Sequence, residues 1–360
     1  MLWGTAFAKT VALFALTRTS PPTTTQLFSS TSLVSKPIEA TKYDALLDWL
    51  KSLDAEINDK IELRQSEGCG FGAFVTGDVE EGELLFTVPR KACLTLEDAT
   101  GDANCGEAFA NLIKKAGPGG NTVVMAGYMA KEYLIMQEAL KKGGDGIDGS
   151  RWAPYFETLP WTRGTNDQEH VLFWSEDMVE SLLKGSMCYG EATALREEIA
   201  LATRIMTSIT SKSIRAPRGE VEEDEGFSWP WQAKTPPPEG PPEGLKEAIQ
   251  GAFVCLLTRA FQDGDGDKEK LVALLDMLQH SATPNVRHVM RKEDGTVEVR
   301  SRHTIPANTE LLNQYRSEEE ESMPYSRFFT RFGFVPGILE PMENLLKDKS
   351  SIFYPQKAEV

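Results

Sequence analysis

Cysteine is sparse and scattered in this chain of 360 residues. Its five thiols, Cys69, Cys93, Cys105, Cys188 and Cys255, form no CxxC pair and are odd in number. A zinc cluster and a disulfide framework are therefore unexpected, and the thiols read as reduced and mostly buried. Histidine is scarcer still, at four, and His280 has no Cys or His neighbour at ligand spacing, so no metal site is expected. Long apolar runs are missing too. Val11 to Leu16 is too short to span a bilayer and no other segment is long and apolar enough, so no membrane is expected for the mature chain. Positive charge is in short supply: 38 Lys and Arg against 54 Asp and Glu leave a net charge of -16. Such a surface argues against a general nucleic-acid binder, which would carry a basic face.

The beginning of the chain runs against this trend. It holds Lys9, Arg18 and Lys36 with no acid before Glu39, and a Ser/Thr/Pro-rich stretch from Thr17 to Ser35 follows the apolar run. Basic, hydroxyl-rich and acid-free composition predicts a targeting segment over residues 1–37, with a plain disordered tail as the alternative. A signal-like run followed by a transit-like stretch resembles the two-part plastid addresses of algae with complex plastids. Plastid is thus favoured over mitochondrion, and a secretory route stays open. Residues 38–340 are enough for a full core, and 341–360 read as a short tail.

Periodicity predicts a helix from a Thr41 cap, with Leu46, Leu50, Leu53 and Ile57 on one face. Short strands are expected at Gly72 to Thr76, Glu83 to Val88 and Ala92 to Thr95, punctuated by Gly77-Asp78 and Glu81-Gly82. From Leu96 the texture turns helical. Ala126 to Lys142 ends at Gly143-Gly144, Ser175 can cap a helix holding Leu182 and Leu183, and Ala192 to Met206 mark a longer one. The proline-rich stretch 236–242 reads as a loop or stiff connector. Leu245 to Gln262 is a strong amphipathic pattern. In Asp263 to Asp267 a calcium loop would want Gly at its sixth place and Glu at its twelfth, where Lys268 and Leu274 stand, so a solvated connection is expected. Val286 to Met290 and Thr296 to Arg302 alternate around Asp294-Gly295, a hairpin signal. Strands, then helices, then strands imply an α+β protein whose small β core is split by a helical insertion, about 96–250.

Five blocks in order resemble one family. They are Gly70-Phe71-Gly72 with Asp78 to Leu84 and Val88 to Lys91; Ser150 to Pro160; Thr258-Arg259-Ala260-Phe261; Asp276 to Ser281; and Tyr315 with Phe332 to Val335. The chain is thereby similar to SET-domain protein methyltransferases, in the branch of the Rubisco large-subunit lysine and actin-histidine enzymes. The resemblance implies a SET β-clip core, S-adenosylmethionine (AdoMet) as methyl donor, and a protein substrate as partner. It implies that Cys69, Gly70 and Phe71 line the AdoMet groove through main-chain atoms, and that Arg259 faces the AdoMet carboxylate. It implies further that Gln279 and His280 contact the adenosine end, with Gln279 standing where the family usually has Asn. Tyr315 matches the catalytic tyrosine and also touches the cofactor, while Phe332 and Phe334 would line the substrate channel.

Two classes of function follow. One is an AdoMet-dependent protein-lysine methyltransferase, with a histidine acceptor as a variant. The other is a SET-fold binding or assembly module without catalysis. Arg316 where Gly usually follows the tyrosine, and the acidic run Glu318 to Glu321, feed the second reading. So does the C-terminus: relatives continue with a helical substrate-binding domain of about a hundred residues, whereas about two dozen residues follow Val335 here.

Overall fold

Pro37 opens the first helix, α1 (Pro37–Ser52), four residues ahead of the expected Thr41 cap. Proline's fixed φ and missing N–H suit a first helical turn. The computed structural model describes residues 37–66, 70–117, 119–165, 168–215, 242–262, 269–315, 324–335, 338, 342–351 and 353–354. The proline stretch 236–241 and the acidic stretch 263–268 lie outside them, as do residues 1–36. After Ser52 the chain reverses: Asp54 takes a φ of 70°, and the Ala55 N–H donates to the Leu50 carbonyl at 3.0 Å. Leu46 and Leu50 are buried as expected. Ile57 does not share their helix and instead bridges Phe86 in strand fashion.

Strands lie on both sides of a helical block. Before it come β1 (Ile61–Ser66), β2 (Gly70–Val75), β3 (Leu84–Val88) and β4 (Cys93–Thr95). The block itself runs through α2 (Leu96–Thr100), α3 (Gly106–Ala116), α4 (Gly119–Lys141), α5 (Gly146–Gly149), α6 (Ala153–Phe156), α7 (Glu176–Leu183), α8 (Met187–Arg215) and α9 (Leu245–Arg259). After it come β5 (Phe261–Gln262), β6 (Glu269–Val272), β7 (Gln279–His280), β8 (Val286–Met290), β9 (Val297–Ser301) and β10 (Leu312–Asn313). Two helices close the described chain, α10 (Tyr325–Phe332) and α11 (Met342–Lys347). α11 packs on α7 with Met342 and Leu346 buried.

Among the described residues the strands form four small sheets, ordered β1-β2, β3-β9-β8, β4-β6-β5 and β7-β10. The pairings β3–β9 and β4–β6 are antiparallel and each joins a strand before the block to one after it. This is the α+β arrangement expected from the sequence, with the β core closed across the insertion. β1 is an addition: its alternation of Ile61 and Leu63 with Glu62 and Arg64 is short and half polar, yet it pairs along its whole length with β2. The hairpin β8–β9 turns at Gly295, with a φ of 71°, and the Asp294 carboxylate accepts the Thr296 N–H at 2.9 Å.

α4 is the axis of the helical block. It packs against α9, α5, α8 and α3, and nine consecutive residues from Val124 to Glu132 are buried. A helix enclosed on all sides reads as apolar all round. α4 begins at Gly119, seven residues before the expected Ala126, because Gly119 and Gly120 are poor helix formers that mask its start. The two charged residues in the run are matched internally. Lys131 pairs with Asp102 and, at 3.1 Å, with Glu132, and the Ser150 hydroxyl donates to Glu132 at 2.7 Å.

α9 ends three residues earlier than its periodicity suggests. Ala260 turns extended, with φ -76° and ψ 140°, and Phe261 and Gln262 join β6 as a strand. Midway along α9, Gly251 lies against the backbone of Trp161. A Cβ there would sit 2.4 Å from the Trp161 carbonyl oxygen and 3.0 Å from its Cα. Backbone cannot swing aside as a long side chain can, so Gly251→Ala is expected to cost about 1–3 kcal/mol. Denaturant unfolding measures this, and an unchanged midpoint would show that α9 and the Trp161 loop slide apart freely.

Candidate active site

The segment 309–313 threads between β2 and β7. On one side the Val75 N–H donates to the Thr309 carbonyl at 3.0 Å, and the Leu311 N–H donates to Ala73 at 2.8 Å. On the other side β10 runs parallel to β7, with Leu312 opposite Gln279 and Asn313 opposite His280. Asn285 locks the thread in place. Its side chain accepts the Leu312 N–H at 2.7 Å and donates to the Glu310 carbonyl at 2.7 Å. One buried amide thus satisfies a donor and an acceptor of the same strand.

The thread delivers Tyr315. Its N–H donates to Nδ1 of His280 at 3.2 Å, and its hydroxyl donates to the Leu278 carbonyl at 2.9 Å. The tyrosine is thereby held at both ends, backbone and phenol, by residues 278 and 280 of one segment. Its ring lies 5.2 Å from His280, 5.6 Å from Phe332 and 6.5 Å from Phe334. Phe328 completes the group, 4.7 Å from Phe332 and 5.6 Å from His280. Phe328 and Phe332 are one helical turn apart on α10 and so share a face. Phe329 points the other way, to Trp174 at 5.8 Å.

Gly333 ends α10 with a φ of 84°, which returns the chain and sets Phe334 beside the cluster. The same corner is fastened to the helical block by His170. This fully buried ring accepts the Leu172 N–H on Nδ1 at 3.1 Å and lies 3.1 Å through Nε2 from the Arg331 carbonyl. Both contacts require the neutral imidazole with its proton on Nε2. Burial pushes its pKa down from 6.5 to about 4.

A second constellation lies behind the first. Arg259 ends α9, and its Nη1 donates to the Asp276 carbonyl at 3.2 Å and to Asp276 Oδ2 at 3.4 Å. The Tyr155 hydroxyl of α6 donates to the same Oδ2 at 2.8 Å. The Asp276 side chain has no exposure and that of Arg259 only 18%. Burial raises the Asp276 carboxyl above its ordinary value, with Arg259 and Tyr155 pulling against it. The other oxygen, Oδ1, is buried without a hydrogen-bond partner.

The structure thus joins most of the expected residues. Tyr315, His280, Phe332 and Phe334 form one aromatic cluster. Gln279, on the strand beside it, donates from Nε2 to the Phe71 carbonyl at 3.3 Å, and Phe71 stacks on Tyr43 at 3.9 Å. Arg259 connects through Asp276, two residues before Leu278. Gly70 takes a φ of 79° at the start of β2. At Gly72 the room left by the missing Cβ is filled from within the chain, since a Cβ would meet Glu310 Oε1 at 2.4 Å. Cys69 lies outside the described residues, as do Arg316 and the run Glu318 to Glu321. Asp276, Tyr155, Asn285, Phe328 and His170 are additions. The first two lie inside the blocks singled out from the sequence, and Phe328 carries an i, i+4 spacing to Phe332. Asn285 and His170 leave no such mark. Among the described residues no group of three or more His, Cys, Asp or Glu could hold a metal ion.

A family model described as the SET domain matches residues 70–316. Among curated proteins, N-lysine methyltransferase setd6 of Salmo salar is 29% identical over 39% of this chain and 28% of its own length. N-lysine methyltransferase setd6 of Xenopus laevis is 23% identical over 75% of this chain and 53% of its own. Actin-histidine N-methyltransferase of Xenopus tropicalis is 28% identical over 39% of this chain and 20% of its own. The chain therefore spans about a fifth to a half of the length of these relatives. Among solved structures, the SET domain of LSMT bound to lysine and AdoHcy aligns with a TM-score of 0.59 at 14% identity, over 83% of this chain and 58% of that one. Rubisco LSMT bound to AdoMet gives 0.58 at 15%, over 82% and 57%. At such identities the likeness speaks for the fold.

The buried His170 carries a pH signature. Its pKa is about 4 folded against 6.5 unperturbed, so between these values the unfolded chain binds the extra proton. Stability contributed by the neutral ring is full above pH ~6.5 and is lost as pH falls toward ~4, by up to about 3 kcal/mol. The difference in unfolding free energy between the parent and His170→Gln is expected to shift by that order across this window. Parallel pH curves would show that His170 titrates normally.

Proposed function

The chain belongs to the SET-domain family, and from that premise we propose that it is an AdoMet-dependent protein methyltransferase acting on a lysine side chain. The observation that carries the reading is Tyr315, its hydroxyl fixed on the Leu278 carbonyl and its ring set among Phe328, Phe332 and Phe334. Relatives named N-lysine methyltransferases support the choice of acceptor.

The residues present fit AdoMet. Arg259, at the end of an otherwise apolar helix, offers a guanidinium to a carboxylate. Asp276 Oδ1, buried without a partner, is an acceptor that the AdoMet ammonium group would satisfy. Phe71 and Gln279, with His280 beside them, would hold the adenosine end. When bound, AdoMet supplies a sulfonium methyl group open to in-line attack by nitrogen.

The rest of the chemistry belongs to the chain. A free lysine has a pKa of about 10.4, and an attacking amine must be neutral. The aromatic walls of Phe328, Phe332 and Phe334 disfavour the ammonium form by withholding water. The Leu278 carbonyl accepts hydrogen bonds at one edge of this enclosure, and the Tyr315 hydroxyl is a second polar point beside it. Two fixed polar atoms in an apolar sleeve orient an amine, and orientation supplies a large part of the rate of such a displacement. Gln279 keeps the amide function, since its longer arm still ties the Phe71 carbonyl to the site.

Residues 1–37 we read as a plastid-targeting segment, on composition alone; imaging of a fluorescent fusion of that segment tests it. For the activity, calorimetry should show 1:1 binding of AdoMet, and no detectable binding would sink the reading. Tyr315→Phe is expected to lower methyl transfer by about 10²-fold or more with AdoMet affinity nearly unchanged. Equal loss of both would make Tyr315 a packing residue.

A further inference from the structure

The Tyr155–Asp276–Arg259 chain is more than an ion pair put away in the core. Tyr155 is fully buried on the four-residue helix α6, and burial raises its pKa well above 10, so its hydroxyl is a permanent donor. The Thr158 hydroxyl fastens the α6 backbone by donating to the Tyr155 carbonyl at 2.7 Å. Asp276 receives this donor on the same oxygen that receives Arg259. Its main-chain carbonyl accepts the same guanidinium nitrogen. Arg259 Nη1 is therefore gripped from behind by one residue through two atoms.

An arginine fork is planar and rigid, with five donors fixed relative to one another. Gripping one nitrogen sets where the others point. The grip is only as good as the Asp276 rotamer, and apart from Arg259 itself the Tyr155 hydroxyl holds it, at the shorter distance.

We infer that Tyr155 is a positioning residue for cofactor recognition: through Asp276 it aims Arg259 at the carboxylate of AdoMet. The inference rests on the proposed function. It also gives the helical insertion a part in the site, since α6 belongs to the insertion while Asp276 belongs to the strand segment beyond it.

The test uses two ligands on the full chain. AdoMet carries the amino-acid carboxylate; 5′-methylthioadenosine keeps the adenosine and methylthio groups and lacks it. Calorimetry on Tyr155→Phe should show AdoMet weakened by about ten-fold, the scale of one hydrogen bond to a charged group, with 5′-methylthioadenosine affinity unchanged. Adding Tyr155→Phe to Arg259→Met should weaken AdoMet no further. Asp276→Asn, which keeps the shape, should reproduce the selective loss and serves if Tyr155→Phe does not fold. Equal weakening of both ligands, or no weakening of either, overturns the inference while leaving the proposed function standing. A parent protein that binds neither ligand removes both.

Discussion

The parallel pairing of β10 with β7 runs over only Leu312 opposite Gln279 and Asn313 opposite His280, yet each part of the site hangs from it. A two-residue ladder has little strength of its own, since strand pairs this short are marginal in isolation. Here it is held from both sides. The β2 backbone bonds residues 309 and 311, and the Asn285 amide bonds 310 and 312. Once the register is set, Tyr315 follows with its N–H on His280 and its hydroxyl on Leu278. A shift by one residue would turn the tyrosine to the other face. The hydroxyl's position is therefore a consequence of strand register more than of local loop shape.

Much of the architecture was legible because it rests on local signals. Asp294-Gly295 marks its hairpin, Ser175 caps α7 by accepting the Met178 N–H at 3.2 Å, and Gly143 closes α4 with a φ of 79°. The elements whose bounds differ from the sequence pattern lie where local propensity is weak or tertiary context decides. Gly119 and Gly120 open α4 although glycine is a poor helix former. Phe261 and Gln262 continue a helical pattern but are taken up by β6. At the site, Tyr315, Gln279, His280, Phe332 and Arg259 were readable as a family pattern. Asn285 and His170 were not, because a buried amide or imidazole that satisfies distant backbone has no spacing to betray it.

The molecule is strongly acidic, but the cations it buries are handled individually. Lys131 lies against a carboxylate nearly as buried as itself, and Arg259 against one more buried still. Against the upward push of burial, Lys131 holds the Asp102 carboxyl below its ordinary value. Such pairs are weak sources of net stability, since desolvation offsets most of the attraction. Breaking one is costly all the same, so each pair fixes a single arrangement of the helices that carry it. For Lys131 that fixes α4 against the loop at Asp102. For Arg259 it fixes the end of α9 against the segment leading to Gln279.

The closing of the β core across the insertion also sets a timetable. Gln279 reaches back 208 residues to Phe71, and Arg300 reaches back 218 to Gly82. Contacts this distant in sequence are slow to form, because the loop must close before any of them rewards it. On a ribosome adding about 5–20 residues per second, β3 and the edge of β2 not taken by β1 emerge roughly ten seconds or more before their partners exist. During that interval their edges stand open, and open edges invite pairing with other chains. The helical block emerges in between. The part of the molecule that would hold the cofactor is thus the last to be assembled, and a chain stopped before Tyr315 has helices but no site.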